Sequence, residues 1–193
     1  MAAQRLIALD VMRGLTIALM IMVNTPGSWS YVYPPLLHSK WHGCTPTDLV
    51  FPFFLFIVGV SMWFSFKKFE KGITKKSLYK VLKRASIMFL LGLFLNAFPY
   101  FDFENLRILG VLQRIAIAYL IGALLCMQFN YKQLLVIFIS ILLGYWGLLF
   151  FGSPEGPYEL PSNLVLKLDL LLFGENHIYK GFGIPFDPEG LLS

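Results

Sequence analysis

The sequence predicts an all-α protein, a polytopic bundle of about five membrane-spanning helices followed by an irregular tail on the outer side of the membrane. Of its 193 residues, 57% are hydrophobic and 14% are charged, and the mean hydropathy is +0.67. Soluble domains carry about a quarter of charged residues. Five stretches approach or reach the roughly 20 apolar residues that a helix needs to cross a bilayer, at 6–25, 48–66, 85–101, 108–128 and 132–151.

The first stretch, 6–25, is predicted to be a retained span rather than a signal peptide. Asp10 and Arg13 interrupt its apolar core, and no small-x-small cleavage site follows before Pro26. The two charges are three residues apart and can pair on one helix face, and Asn24 lies within about 20° of the same face. An ionised group at the bilayer centre costs roughly 2.5–3.5 kcal/mol. The polar stripe therefore faces protein or water, either as a buried ion pair that fixes packing or as the wall of a substrate or cofactor cavity.

The loop before the second span, LHSKWHGCTPTD, contains two of the three histidines, His38 and His42. An imidazole titrates near pH 7 and suits general-base or nucleophilic chemistry, although the residues alone favour an ordinary polar loop role for both histidines. Asp48 is placed either to orient an imidazole or simply to act as a carboxylate in the positive first turn of span two. A metal site with these histidines would need a third ligand, for which Asp48 is the candidate.

The third stretch, 85–101, follows KKFEKGITKKSLYKVLKR, where residues 67–84 hold eight of the sixteen Lys and Arg residues. Such a cluster marks a cytoplasmic loop and explains the net charge of +5 without nucleic acid. The N-terminus is then cytoplasmic, the loops at 25–47 and 102–107 face outward, and residues 152–193 form the outer segment. Cys44 and Cys126 fall on opposite sides and are predicted to be free thiols.

The fourth span, 108–128, contains Gln113 and Arg114 about two turns from its outer end. Arg114 either snorkels or pairs structurally, or it binds an anionic group such as a phosphate. Beyond the fifth span, Ser162 is predicted to cap a short helix at 163–173 that stops at Gly174. His177, Asp187 and Glu189 in this tail either gather around a polar substrate such as a sugar or belong to turns, as Asp-Pro-Glu-Gly suggests.

Several blocks in order resemble the heparan-alpha-glucosaminide N-acetyltransferase family. They are RLIALDVMRG at 5–14, the asparagine of MVNT, HSKWHGCTPTDLVFPFFLFIVG at 38–59, GVLQRIAIAY at 110–119, GENHIY and FDPEG. LDVMRG alone is shared by a wider set of membrane acyltransferases. The pattern H-x-x-W-x-G followed by D-L-V-F-P is much more specific.

The resemblance implies transfer of an acetyl group from cytosolic acetyl-CoA, as acyl donor, to an amino sugar or glycan end outside the membrane, with no metal. It assigns the active-site histidine to His38 and not to His42, with Asn24 and Asp48 lining the same outer site. Asp10, Arg13, Gln113 and Arg114 are then expected at the CoA moiety, and Trp41, His177 and Asp187 at the acceptor. A bacterial relative in the cytoplasmic membrane is expected.

The resemblance also implies about twice as many spans as this chain holds. The chain is thus expected to be one acyltransferase-like domain, 1–193, truncated at its C-terminus. The alternatives are a transporter of a sugar or acyl carrier, or an inactive fragment. The oligomeric state stays open, with a homo-oligomer among the alternatives.

Overall fold

The computed structural model describes residues 6–66, 72–181 and 183–193, and within them the regular structure is helical. Residues 67–71 of the basic segment, together with Arg5 and Phe182, lie outside the described residues. The chain divides into two compact units, Met1–Phe69 and Glu70–Ser193. The predicted all-α helical bundle is confirmed.

The first unit contains α1, Ile7–Asn24, and α2, Val50–Phe66, which pack against each other. Three short 3-10 turns lie between them, at Trp29–Tyr31, Pro34–Leu36 and Pro46–Leu49. Pro46 begins the last of these turns, where its missing N–H costs nothing. The turn leads directly into α2, so the loop that holds His38 ends at the start of a span.

The second unit contains α3, Lys75–Ala97, α4, Val111–Gln128, α5, Tyr131–Gly152, and α6, Leu164–Phe173. α3 and α4 pack side by side, and α5 contacts α6. Among the described residues, four helical segments are long and apolar enough to cross a membrane: Ile7–Asn24, Pro46–Phe66, Val111–Gln128 and Tyr131–Gly152. α5 buries none of its residues, which is what a lipid-facing helix requires.

α3 differs from the predicted third span of 85–101 at both ends. It begins at Lys75 because Thr74 and Ser77 form a reciprocal capping box, and a helix continues through charged residues as readily as through apolar ones. It ends at Ala97 because Phe98 precedes Pro99 and adopts extended backbone angles. Only the C-terminal half of this helix is apolar.

α6 confirms the short helix predicted in the tail, with a different cap. The side chain of Asn163 accepts a hydrogen bond from the Leu166 N–H at 2.8 Å, whereas Ser162 donates to the carbonyl of Gly156 at 2.7 Å. Gly174 stops the helix with a φ of +71°, which is strained for other residues. Both cysteines are free, as predicted.

Candidate functional site

The loop between α1 and α2 brings His38 and Asp48 together. Nδ1 of His38 lies 2.7 Å from Oδ1 of Asp48, and the two side chains are 68% and 25% exposed. An ionised carboxylate only accepts hydrogen bonds, so Nδ1 carries the proton and donates it. The lone pair of His38 is therefore on Nε2, on the side of the ring away from Asp48.

The second oxygen of Asp48 is held by the loop itself. Oδ2 accepts the backbone N–H of Thr45 at 2.8 Å and that of Ser39 at 3.3 Å. Because Asp48 lies three residues after Thr45, it caps the helical turn that leads into α2. The same carboxylate therefore caps the helical turn and accepts a hydrogen bond from the imidazole, and its role in catalysis stays a prediction.

The segment before His38 is fastened to the same turn. Thr47 donates to the carbonyl of Pro35 at 3.2 Å, and Thr45 donates to that of Leu37 at 2.7 Å. Thr47 is buried. Two hydroxyl contacts thus fix the backbone that presents His38, so its position does not depend on the hydrogen bond to Asp48 alone.

The neighbouring motif residues lie differently. Trp41 and His42 form an edge-to-face ring pair with centroids 6.4 Å apart, and His42 is exposed. Throughout 6–66, 72–181 and 183–193, no group of three His, Cys, Asp or Glu residues is arranged to hold a metal ion.

The polar stripe of α1 forms the predicted pair and gains a partner from α2. Nη1 of Arg13 lies 3.5 Å from Oδ1 of Asp10, and Nη2 donates to the hydroxyl of Ser61 at 3.1 Å. Asn24, at the end of α1, donates to the carbonyl of Met20 at 2.9 Å. Sequence reasoning missed Ser61, because no helical spacing relates it to Arg13.

A second polar cluster lies in the Glu70–Ser193 unit, around Asp187. Arg107 donates through Nε to Oδ2 of Asp187 at 2.8 Å and through Nη2 to Oδ1 at 2.5 Å, and it also pairs with Glu189. The guanidinium stacks 4.9 Å from the ring centroid of Tyr179. Asp187 is 2% exposed. The FDPEG segment is therefore both a turn, with the Gly190 N–H bonded to the carbonyl of Asp187 at 3.0 Å, and half of an ion-pair cluster.

Burial and the charges of this cluster change the pKa values of Arg107 and of the neighbouring Asp169. Burial alone would lower the pKa of Arg107, but the hydrogen bonds that it donates to Asp187 and the charges of Asp187 and Glu189 outweigh burial and raise this pKa above its usual value. On α6, burial raises the pKa of Asp169 above its usual value, and the nearby charge of Asp187 adds to the shift. Arg107 was missed in the sequence, where its only signal is a lone cation shortly before span four.

Gln113 and Arg114 on α4 are both partly or wholly enclosed by protein. Gln113 is 1% exposed and lies against Gly92 of α3, where an added Cβ would come within 2.4 Å of Oε1. Nη1 of Arg114 donates to the carbonyl of Pro188 at 2.8 Å. His177 donates through Nδ1 to the carbonyl of Leu106 at 2.7 Å, because a carbonyl can only accept. Their roles at a cofactor or substrate stay predictions.

Comparison with known proteins gives a consistent result. A family model described as "Heparan-alpha-glucosaminide N-acetyltransferase, catalytic" matches residues 5–155. Two curated proteins named "Heparan-alpha-glucosaminide N-acetyltransferase", from Mus musculus and Homo sapiens, are 29% and 28% identical to this chain. The alignments cover 99% and 97% of this chain and 36% of each relative, so the chain spans about a third of their length. The resemblance stated from the sequence is confirmed, and the His38–Asp48 pair lies within the matched residues.

Proposed function

Because this chain belongs to the heparan-alpha-glucosaminide N-acetyltransferase catalytic family, we propose that it carries the reacting histidine of a membrane acetyltransferase. The donor is acetyl-CoA and the acceptor is the amine of an amino sugar, free or at the end of a glycan. The observation that supports this most directly is the 2.7 Å contact between His38 and Asp48. An imidazole oriented by a carboxylate through one nitrogen is a base or nucleophile at the other.

Two balanced routes use the Nε2 atom of His38. In direct transfer, the amine nitrogen attacks the thioester carbonyl while Nε2 takes the proton that the amine loses. The carbon–sulfur bond then breaks, and the protonated imidazole returns the proton to the CoA thiolate. In the covalent route, Nε2 attacks the thioester first and CoA leaves as thiolate. The amine then displaces the imidazole from the acetyl group, and the proton that the amine loses neutralises the thiolate. Asp48 stabilises the positive imidazole in either route.

The acceptor and the donor are proposed to approach from opposite sides of the bilayer. The eight basic residues of 67–84 favour a cytoplasmic location for that segment. The N-terminus is then inside and the His38 loop outside, in the cytoplasmic membrane of a bacterium. The paired charges of Asp10 and Arg13, inside a candidate span, supply a polar surface along which the anionic donor is held.

The activity is tested with radiolabelled acetyl-CoA and glucosamine, using membranes that contain the protein. We expect labelled N-acetylglucosamine, which control membranes without the protein do not form. A transporter, the second function that intramembrane charge allows, would instead move its substrate across the bilayer unchanged. Glucosamine recovered unaltered on the far side would therefore support transport and contradict the transferase.

The orientation is tested by labelling the two cysteines. Cys44 is exposed in the loop of His38, and Cys126 lies within α4. We expect a membrane-impermeant maleimide to modify Cys44 on intact cells and to leave Cys126 unmodified. The variant Cys44→Ser should lose the label. Labelling of Cys44 only after cell lysis would contradict an outer position for His38.

The contribution of Arg13 to donor binding is tested with Arg13→Gln. Losing a charged hydrogen bond costs about 1.5–3 kcal/mol, so the KM for acetyl-CoA should rise about tenfold or more while kcat changes little. Lys132→Gln removes the same charge from an exposed position at the start of α5 and should leave KM unchanged. An unchanged KM accompanied by lower thermal stability would instead assign Arg13 to helix packing with Asp10 and Ser61.

A further inference from the structure

α3 and α4 form the two sides of an open apolar groove, and the proposed acetyl transfer does not use it. Its volume is about 300 Å³. Its walls are aliphatic and aromatic apart from one hydroxyl, and they include Leu82, Ser86, Phe89 and Leu90 of α3 with Ala116 and Leu120 of α4. The groove lies within a unit that holds two candidate membrane spans. Its apolar walls therefore favour a hydrocarbon chain over water as the occupant.

Basic residues lie on the groove side of α3, with Lys75 beyond the end of the groove and Lys83 at its edge, one residue after Leu82. Residues seven apart lie almost one above the other on a helix, about 10 Å apart along its axis. Lys75 therefore lies above Leu82, Tyr79 above Ser86 and Lys83 above Leu90. Lys75, Tyr79 and Lys83 are all exposed. The apolar groove thus has a mouth with two cations and one phenol.

From residue 72 onward, the lysines at the start of α3 have no carboxylate neighbour in the sequence to compensate their charge. No Asp or Glu occurs in residues 72–84, and the first turn of α3 holds no acidic residue. Cations at a helix N-terminus also face the positive end of the helix dipole. Arg84 is engaged differently, because its guanidinium stacks 5.0 Å from the ring centroid of Tyr119. This end of α3 is therefore complementary to an anion.

The expected depth of Lys83 in the membrane also favours an anionic partner. The apolar part of α3, from Ala85 to Ala97, is about 20 Å long at 1.5 Å per residue. The hydrocarbon core of a bilayer is about 30 Å thick. The turn that contains Lys83 is consequently drawn to the boundary between hydrocarbon and headgroups, where long basic side chains reach for the interface.

We propose that the α3–α4 groove is a binding site for an anionic phospholipid of the surrounding leaflet. One acyl chain occupies the groove between Leu82, Leu90 and Leu120, and the headgroup phosphate is held by Lys75 and Lys83. Basic pockets between spans recognise anionic headgroups by this combination of charge and apolar contact. The proposal is independent of acetyl transfer, since none of these residues is assigned to that reaction.

The test measures how lipid raises the thermal unfolding midpoint of the purified chain in a neutral detergent. Three compounds are titrated separately: phosphatidylglycerol, phosphatidylcholine with the same acyl chains, and glycerol phosphate, which has no chains. We expect a saturable rise with phosphatidylglycerol only. Lys83→Gln should weaken the apparent affinity about fivefold, and Lys75→Gln with Lys83→Gln more than twentyfold. Ser86→Trp, which fills the groove from an exposed position, should abolish the effect.

Lys132→Gln is the matched control, because it removes an exposed lysine elsewhere in the same unit. It should leave the affinity within twofold of the original. Equal stabilisation by phosphatidylcholine would overturn the charge selectivity, and equal stabilisation by glycerol phosphate would overturn the role of the groove. An affinity loss in Lys132→Gln as large as in Lys83→Gln would show that only the overall charge matters.

Discussion

Replacing His38 with alanine is expected to lower the rate of acetyl transfer about a thousandfold. A positioned general base or nucleophile contributes roughly 10²–10⁴ in rate, and His38 is the histidine whose Nδ1 contacts a carboxylate at 2.7 Å. Its side chain is 68% exposed, so the substitution should not disturb folding. The measurement is the initial rate of labelled product formation at saturating acetyl-CoA, with thermal unfolding as a check of the folded state.

His42→Ala is the matched control for this prediction. His42 is an exposed histidine four residues away in the same loop, and the structure records its ring beside Trp41. The control should keep kcat within about twofold. If His38→Ala kept the original rate, neither the direct nor the covalent route could operate through this residue.

Asp48→Asn separates orientation from chemistry. An amide at position 48 no longer stabilises a positive imidazole and can favour the wrong tautomer, so we expect a loss of about a hundredfold or more. A purely structural role for Asp48 would lower the unfolding temperature without lowering kcat in the folded fraction.

A single-turnover experiment without acceptor distinguishes the two routes. In the covalent route, labelled acetyl-CoA should leave radioactivity on the protein that is lost on addition of glucosamine and absent in His38→Ala. In direct transfer, the protein stays unlabelled and the label appears only in the sugar. Both results are compatible with the His38–Asp48 geometry, because that geometry leaves Nε2 available in either case.

The length of the apolar stretches carried most of the fold that could be predicted. Four of the five spans appear close to their expected bounds, because 20 apolar residues have few alternatives to a helix in a bilayer. The Asp10–Arg13 pair followed from three-residue spacing. The start of α3 at Lys75 was not predicted. The apolar stretch indicates which residues contact lipid, whereas the capping box indicates where the helix begins.

Contacts between distant segments could not be predicted from spacing. Arg107 and Asp187 are 80 residues apart, and Ser61 meets Arg13 across two helices. Each of these contacts depends on how helices and loops pack against each other, and no local pattern in a single sequence reveals that packing. His38 and Asp48 are an intermediate case, because ten residues of loop with Gly43 and Pro46 make a close approach feasible without fixing it.

Removal of the carboxylate at position 187 is expected to be the most damaging substitution to the stability of the Glu70–Ser193 unit. Asp187 is 2% exposed and accepts two hydrogen bonds from Arg107, one from the backbone N–H of Tyr179 and one from that of Glu189. Deleting one partner of a buried pair costs about 3–5 kcal/mol. Arg107 keeps some solvent contact, with 27% of its side chain exposed, so a loss of about 3 kcal/mol is expected for Asp187→Ala.

The measurement is thermal or denaturant unfolding of the purified chain in detergent, with two comparison variants. Asp102→Asn alters an exposed aspartate that accepts hydrogen bonds from Glu104 and Asn105 in its own turn, and it should cost less than about 0.5 kcal/mol. Asp187→Ala combined with Arg107→Ala should cost less than the sum of the single losses, because the second substitution removes the unpaired cation. Additive losses would mean that the two side chains do not act as a pair.

The same variants test whether Asp187 touches the acceptor sugar, as the sequence suggested. If Asp187 only stabilises the fold, Asp187→Ala should reduce the amount of folded protein. The KM for glucosamine, measured on the protein that remains folded, should then be unchanged. If it binds the acceptor, that KM should rise severalfold even at low temperature, where the variant is fully folded. We expect the first result, since both oxygens already accept hydrogen bonds within the protein and the side chain is buried.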